Sequence, residues 1–314
     1  MDRPFVCSLS ADRAATLDPL FEETGFRLRN RLTGASGELL SQWLPAAPSP
    51  PVRPRRVLVL SYFNAPNFGD RLGYHIVNGL LPAHAEVTHA ALHPWQAVEE
   101  DYDLLILGIG NSINARAIGR PELHRLIARS RHAIGIFGTQ YHFQYREMMD
   151  PALFGTLLDG LTTWWARYEE DVLAFGRGRD NVRHLGDWLI SAFPMAVPTM
   201  DKTLVIPPEF VDKELSLDRT IQKIQSYRRV RTARIHPMLC ALTSAEEVAY
   251  MEQREGPDRK RESGKFRSQL YDIFGRSFAE GPFFRVDRDA VLRYRIRVEA
   301  GMAELRAQIA ALLA

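Results

Sequence analysis

The sequence predicts an α/β fold built from two successive Rossmann-like halves, with an N-terminal appendage before them and a long helix after them. Continuous apolar runs typical of buried parallel strands occur at residues 56–63 (RVLVLSYF), 104–109 (LLILGI) and 132–137 (HAIGIF). Helical segments lie between these runs. Strands that alternate with helices over short connections form parallel sheets with right-handed crossovers.

The order of the segments predicts four parts. Residues 1–52 form the appendage, which contains one helix and ends in a linker so rich in proline that helices and strand pairing are disfavoured. Residues 53–160 form the first Rossmann-like half. Residues 161–286 form the second, which opens with a strand at 162–167 (TTWWAR). Residues 287–314 carry apolar side chains at helical spacing, which predicts one long amphipathic helix.

The composition excludes several classes of protein. With 40 basic and 38 acidic residues the net charge is only +2, whereas a nucleic-acid-binding protein usually has a concentrated basic excess. The two distant cysteines, Cys7 and Cys240, form neither a disulfide framework nor a thiolate metal site, and no H-E-x-x-H motif occurs. The N-terminus lacks the apolar core of a secretory signal, and no run of about 18 apolar residues is present to span a membrane. We therefore expect a cytoplasmic protein that binds no nucleic acid and holds no metal.

The first candidate segment follows the strand at 56–63 and opens a helix. It contains Asn67, Gly69 and Asp70 at the carboxyl end of a strand, where open parallel sheets bind ligands. Gly69 permits close approach of another group to the backbone. Asp70 is also well placed as a helix N-cap, so this motif alone does not distinguish a binding loop from an ordinary cap.

The second candidate segment follows the strand at 104–109 and contains Gly108, Gly110, Asn111 and Ser112. Two glycines, an amide and a hydroxyl can hold an anion through backbone N–H groups. The third glycine of a G-x-G-x-x-G dinucleotide fingerprint is missing. The segment therefore predicts an anion-binding loop or a tight turn, and not a dinucleotide site.

Cationic side chains near strand ends make up the third group. Arg167 ends a strand and points toward the sheet crevice, unless it closes the strand at the surface. Arg234 and His236 are two positions apart, so on extended chain they project to the same side, and Pro237 suits the first position of the following helix. A guanidinium and an imidazole that converge in this way can bind an anion and supply a proton; a helix cap formed by His236 is the alternative. Lys265 is a further candidate contact for an anion.

Together these segments resemble the polysaccharide pyruvyl transferase family over about residues 57–275. The resemblance rests on the order and spacing of Asn67-Phe-Gly69-Asp70, Gly108-x-Gly110-Asn111-Ser112, Arg167 and Arg234-Ile235-His236. It extends to the later stretch from Ser263 to Gly275. Pro237 departs from the family, in which glycine is common at this place, and the N-terminal appendage has no counterpart.

The resemblance implies a GT-B-like fold, in which two Rossmann-like domains face a cleft. It implies phosphoenolpyruvate as the donor substrate, no cofactor and no metal. The acceptor would be a sugar of a bacterial exopolysaccharide or of its precursor, such as a lipid-linked oligosaccharide, reached from the cytoplasm or at the inner membrane. Arg167 and Arg234 would bind the carboxylate and phosphate of the donor, and His236 would be the general acid. Asn67 and Asp70 would face the acceptor from the other half, with Asp70 as a base.

Two other functions stay open at this point. A nucleotide-sugar-dependent glycosyltransferase of the GT-B type would share the architecture, although the sequence shows no convincing contact for its ribose and diphosphate. A non-catalytic carbohydrate-binding relative would not need the pair of Arg234 and His236. The sequence leaves the acceptor sugar and the oligomeric state open, a homo-oligomer included.

Overall fold

The computed structural model describes the backbone of residues 8–9 and, with gaps, most of the chain from residue 54 onward. The described ranges after residue 9 are 54–61, 67–96, 98, 100–110, 113, 115–139, 150–208, 216–255 and 261–314. The predicted helix of the appendage and the Pro-rich linker lie outside the described residues.

The first sheet has seven strands in the order β1-β3-β2-β4-β5-β6-β7. All neighbours are parallel except β1, which is antiparallel to β3. The strands are β1 (Ser8–Leu9), β2 (Arg56–Ser61), β3 (Glu86–Ala91), β4 (Leu104–Gly110), β5 (Ala133–Phe137), β6 (Thr163–Ala166) and β7 (Val182–His184). The helices within this part are α1 (Phe68–Leu80), α2 (Ala115–Ile118), α3 (Pro121–Arg129), α4 (Pro151–Asp159) and α5 (Glu169–Phe175).

A 3-10 helix (Trp188–Ala192) leads from the first sheet to the second. The second part contains β8 (Met200–Ile206), α6 (Leu217–Gln225), β9 (Tyr227–Thr232), α7 (Ile235–Leu242), β10 (Glu247–Tyr250), β11 (Arg254–Glu255), β12 (Arg261–Glu262), α8 (Lys265–Phe274), β13 (Phe284–Arg285) and α9 (Arg288–Leu313). Its sheet has the order β13-β10-β9-β8, in which only β13 is antiparallel, while β11 and β12 form a separate hairpin. The predicted α/β class is thus confirmed, with a six-stranded parallel sheet and a second, smaller sheet.

One strand assignment is wrong. The sequence predicts that the strand around Trp164 opens the second half, but β6 pairs with β5 and β7 pairs with β6 in the first sheet. The physical reason is the packing of the Trp164 ring, whose centroid lies 5.4 Å from those of both Phe137 and Phe154. The chain therefore passes from the first sheet to the second between His184 and Met200, and not at residue 160.

The predicted C-terminal helix is present as α9, and it returns from the second sheet to the first. Its buried side includes Tyr294, Val298 and Met302. Further along, Gln308 accepts a hydrogen bond of 2.8 Å from the indole of Trp165. Leu292, which belongs to the same apolar pattern, is 41% exposed.

The two sheets share one continuous apolar core. Side chains from one face of the first sheet, from α1, from α7 and from α9 belong to the same cluster of buried residues. Helix α7 contacts both α1 and the 3-10 helix, and the rings of Phe68 and Phe193 stack at 6.1 Å. This packing sets the N-terminal end of α1 against the N-terminal end of α7, which is where the candidate site lies.

Across the described residues, every helix is either too short or too polar to traverse a bilayer.

We expect Trp164→Ala to lower the free energy of unfolding by about 3–5 kcal/mol, because it empties a large volume in the core. Trp164 is fully buried, and its indole donates a hydrogen bond of 2.9 Å to the carbonyl of Phe137. Urea unfolding followed by circular dichroism measures this loss. Leu173→Ala is the control, since that side chain is 75% exposed. A loss below about 1 kcal/mol at Trp164 would contradict the assignment of β6 to the core of the first sheet.

Candidate active site

The N-terminus of α1 is capped by Asn67. Its side-chain Oδ1 accepts a hydrogen bond of 3.0 Å from the backbone N–H of Gly69. The sequence suggests Asp70 as a cap, and this is wrong, because Asp70 lies inside the first turn of α1. The amide oxygen of Asn67 is therefore engaged in holding the helix end, and the Asp70 carboxyl is left to interact with charges around it.

Gly69 lies directly against the imidazole of His236. A Cβ atom built on Gly69 would come within 1.6 Å of His236 Nδ1, closer than any two non-bonded atoms approach. Only a glycine therefore allows α1 to meet the ring in this way. Gly69 lies on α1, which packs on the first sheet, and His236 lies on α7, which packs on the second. The contact therefore fixes the ring at the junction of the two parts of the molecule.

His236 is the second residue of α7, and Arg234 is its N-cap residue. The sequence predicts that both lie on extended chain and that Pro237 begins the helix. Only Arg234 is extended, with φ −127° and ψ 130°, and Pro237 occupies the third helical position. Proline is tolerated there because the first N–H groups of a helix have no partner within the helix. The chain turns at this point because the Thr232 hydroxyl accepts a hydrogen bond of 2.9 Å from the backbone N–H of Arg234.

Arg167 connects the end of β6 to His236. It is only 2% exposed, so it does not close the strand at the surface. Its Nη2 donates a hydrogen bond of 2.7 Å to His236 Nε2. A guanidinium can only donate, so Nε2 accepts and the neutral ring carries its proton on Nδ1, the side next to Gly69.

Asp187, which the sequence analysis did not select, holds Arg167 in place. Its fully buried carboxylate binds Arg167 Nη2, and Asp187 Oδ2 lies 3.9 Å from His236 Nε2. Its backbone N–H donates to the hydroxyl of Tyr294 at 2.6 Å, and that hydroxyl also accepts a hydrogen bond of 2.9 Å from Gln269. In the sequence Asp187 is marked only by the glycine before it, which is too common a pair to single the residue out.

Burial moves the pKa values of His236 and Asp70 in opposite directions, whereas the nearby positive charges lower both. Burial, followed by the positive charges of Arg167, Lys265 and Arg234, lowers the pKa of His236 well below its usual value. Burial raises the pKa of Asp70 to about 7, although the charges of Arg234, Lys265 and Arg167 act to lower it. The structure thus brings together five charged or titratable residues selected from the sequence, which we call the cationic cluster: Asp70, Arg167, Arg234, His236 and Lys265.

The glycine-rich segment after β4 lies beside this cluster. Gly108 and Gly110 have positive φ angles of 82° and 80°. A Cβ atom on Gly110 would lie 3.5 Å from Arg167 Nη1, so the strand end borders the guanidinium. Asn111 and Ser112 lie outside the described residues, and their anion-binding role stays a prediction.

The cationic cluster has the properties of a site for a small, multiply charged anion. Three cations surround one imidazole and one carboxyl group. The N-termini of α1, α7 and α8 also supply Asp70, His236 and Lys265, and helix N-termini favour negative charge. Among the described residues no group of His, Cys, Asp and Glu is arranged to hold a metal ion.

Fold and site together define an α/β protein with a partly buried cationic cluster at the junction of two sheets. Comparison of the chain with protein-family models, with curated proteins and with solved structures gave no match. The function is therefore inferred from the chemistry of the cluster.

We expect Gly69→Ala to displace the His236 ring and to cost about 1–3 kcal/mol in the free energy of unfolding, because the new methyl group overlaps the imidazole. Urea unfolding and the NMR signals of the His236 ring measure both effects. Gly155→Ala is the matched control, because there a Cβ would meet only the flexible end of Arg179. An unshifted His236 signal in Gly69→Ala would show that the two groups are not in contact.

We expect Asp187→Ala to lower the free energy of unfolding by about 3–5 kcal/mol, because it leaves the buried charge of Arg167 without its partner. Adding Arg167→Met should recover part of this loss. A double-mutant cycle measures the coupling between the two side chains. Strictly additive losses would mean that the Asp187 carboxylate does not stabilise the guanidinium.

Proposed function

We propose that the protein is a pyruvyltransferase, which moves pyruvate from phosphoenolpyruvate to two hydroxyls of a sugar and releases phosphate. The observation that supports this is the convergence of His236 with Arg167, Arg234 and Lys265, since the reaction needs a proton donor among cations. The junction of the two sheets then corresponds to the cleft of a GT-B-like arrangement. The acceptor is a sugar of an exopolysaccharide or its precursor.

The donor binds to the cluster through its two anionic groups. Arginine side chains match carboxylate and phosphate oxygens with two parallel N–H donors each. Arg167 and Arg234 come from different parts of the fold, so they can hold the two ends of one small molecule. Lys265 adds a charge at the N-terminus of α8.

Binding of the donor also protonates the residue that acts as the acid, His236. Without a ligand, His236 is neutral, because its pKa lies well below the usual value. The negative charges of phosphoenolpyruvate offset the repulsion from the cations and raise that pKa, so that binding takes up a proton. The guanidinium of Arg167 then turns from Nε2 toward the donor and Asp187, and the ring can hold a proton on both nitrogens.

The reaction begins when His236 gives this proton to the methylene carbon of the donor, which makes the adjacent carbon electrophilic. A sugar hydroxyl bonds to that carbon, and Asp70, with a pKa of about 7, takes the hydroxyl proton. A second hydroxyl then bonds to the same carbon and gives its proton to His236, while the carbon–oxygen bond to phosphate breaks and the phosphate takes the proton from Asp70. One donor and one diol give one ketal and one phosphate, and fixed cations stabilise the charge as it moves.

A nucleotide-sugar glycosyltransferase is the second candidate. The cations that suit phosphoenolpyruvate would also bind a diphosphate, and Lys265 at a helix N-terminus favours such a group. The deciding difference is the product, because this enzyme would release a nucleoside diphosphate and not inorganic phosphate. A non-catalytic carbohydrate-binding protein would release neither.

The test incubates the protein with phosphoenolpyruvate or nucleotide sugars and with polymeric, nucleotide-linked and lipid-linked acceptors. Pyruvyl transfer predicts phosphate release and an acceptor mass that increases by one pyruvate less one water. Nucleoside diphosphate release would favour glycosyl transfer. If phosphoenolpyruvate neither binds in calorimetry nor reacts with any acceptor, the proposed function is wrong.

We expect His236→Ala to lower kcat for phosphate release by about 10²–10⁴-fold, because the ring supplies the proton, while phosphoenolpyruvate still binds through the cations of the cluster. Arg234→Ala should show the reverse pattern, with weakened donor binding. Calorimetry and a phosphate assay measure the two quantities. His132→Ala, directly before the first residue of β5, is the control. Near-normal turnover in His236→Ala would remove the imidazole from the mechanism.

We expect the affinity for phosphoenolpyruvate to fall as pH rises through about 7, and Asp70→Asn to flatten this dependence. Below that pH Asp70 holds its proton and is neutral, whereas above it the carboxylate repels the anionic donor. Calorimetry between about pH 6 and 8 measures it. The donor itself titrates in the same way with every variant. The ratio of the wild-type affinity to the Asp70→Asn affinity at each pH therefore reports the charge of Asp70 alone. Asp101→Asn, at an exposed position, is the control, and parallel curves for Asp70→Asn and the wild type would contradict this role.

A further inference from the structure

A cavity of about 270 Å³ lies at the carboxyl end of β10. Its lining includes Tyr250, Glu252, Gly264, Phe278 and Glu280. This volume lies close to the lower end of ligand pockets in proteins, which begin at about 300 Å³. We call it the acidic cavity.

The acidic cavity is a neighbour of the cationic cluster. Gly264, which lines the cavity, immediately precedes Lys265 at the start of α8. The charge of Lys265 acts on Glu252 and also on His236 and Asp70. Because Gly264 and Lys265 are consecutive residues, the cavity and the cluster adjoin at the start of α8.

Glu252 supplies a buried acceptor atom at the cavity wall. The residue is only 8% exposed. Its Oε1 accepts hydrogen bonds from the Ser263 hydroxyl and from the backbone N–H of Gln253. Its other oxygen, Oε2, accepts none from any residue that the structure describes. Because Glu252 lines the cavity, this oxygen can accept a hydrogen bond from a ligand.

The other carboxylates of the cavity share one arginine, which offsets part of their negative charge. Both oxygens of Glu280 accept hydrogen bonds from Arg254, at 3.0 and 2.7 Å, and Arg254 also binds Glu262 at 3.2 Å. Arg267 contributes another positive charge to the lining. The cavity is therefore not a strong cation site, and its carboxylates do not favour the anionic donor.

Aromatic side chains make the rest of the wall rigid. The Tyr250 hydroxyl donates a hydrogen bond of 2.9 Å to the Phe278 carbonyl, and the Tyr250 ring stacks on Phe266 at 5.2 Å. The Phe278 ring packs 4.0 Å from that of Phe284. Carboxylate acceptors beside flat apolar side chains match a sugar ring, which has hydroxyl donors at its edge and C–H groups on its faces.

We propose that the acidic cavity binds one neutral sugar residue of the acceptor, with a sugar hydroxyl donating to Glu252 Oε2; this deepens the proposed pyruvyl transfer and rests on it. Donor and acceptor are then separated by charge. The anionic donor binds among cations, and the neutral sugar binds where carboxylates discourage the donor. The boundary between the two sites runs along the start of α8.

The experiment measures binding of methyl glucoside, methyl galactoside and methyl mannoside by saturation-transfer NMR, with and without phosphoenolpyruvate. We expect at least one glycoside to bind, Glu252→Gln to weaken it about tenfold, and the affinity for phosphoenolpyruvate to stay unchanged. Glu247→Gln, at the other end of β10, is the matched control and should bind as the wild type does. Phe278→Leu is a second variant that removes the aromatic wall, in case Glu252→Gln fails to fold.

The outcomes separate the two proposals. If a glycoside binds in a way that depends on Glu252 but phosphoenolpyruvate does not bind, the result supports the sugar site and rejects pyruvyl transfer. If phosphoenolpyruvate binds but no glycoside does, or if glycosides bind equally well to the wild type, Glu252→Gln and Phe278→Leu, the sugar site is overturned. In an active enzyme, Glu252→Gln should raise KM for the acceptor about tenfold and leave KM for phosphoenolpyruvate unchanged.

Discussion

The contact between the backbone of Gly69 and the imidazole of His236 is the constraint on which the site depends. It joins the first turn of α1, which packs on the first sheet, to the first turn of α7, which packs on the second. With one face of the ring against Gly69, Arg167 can reach Nε2 only from the end of β6. The buried carboxylate of Asp187 then compensates the guanidinium. A side chain at position 69 would separate the two helices and disperse the cluster.

This arrangement groups three cations with two carboxyl groups around one imidazole. Asp187 compensates Arg167, but the Asp70 carboxyl keeps a pKa of about 7 in spite of three nearby cations, and His236 is held neutral. Environments that displace the pKa values of neighbouring groups in opposite directions are typical of acid–base sites. An anion with more than one charge relieves this imbalance, which is why we connect the cluster with phosphoenolpyruvate.

Several features of the fold and the site follow from sequence patterns alone. The apolar runs that became β2, β4 and β5 are buried on both faces, and a buried parallel strand can be recognised from such a run. Arg167, Arg234 and His236 were selected because they follow strands, and parallel strands end at the same edge of a sheet. Asp187 was missed because a single acid after a three-residue strand has no distinctive spacing. The acidic cavity lies apart from the cluster because of how β10 and α8 are placed in the fold. No local sequence pattern predicts that placement.

The sequence by itself determined the class of fold, the long C-terminal helix and the residue types that form the cationic cluster, because these depend on local periodicity and on side-chain chemistry. The tertiary structure decided the rest. It assigned the strand of Trp164 to the first sheet, since its ring fills a space beside Phe137 and Phe154. It placed His236 inside a helix and against Gly69, and it made Asn67 the cap. The contact of His236 with Gly69 spans more than one hundred residues of chain, and packing between such distant segments leaves no periodic trace in the sequence.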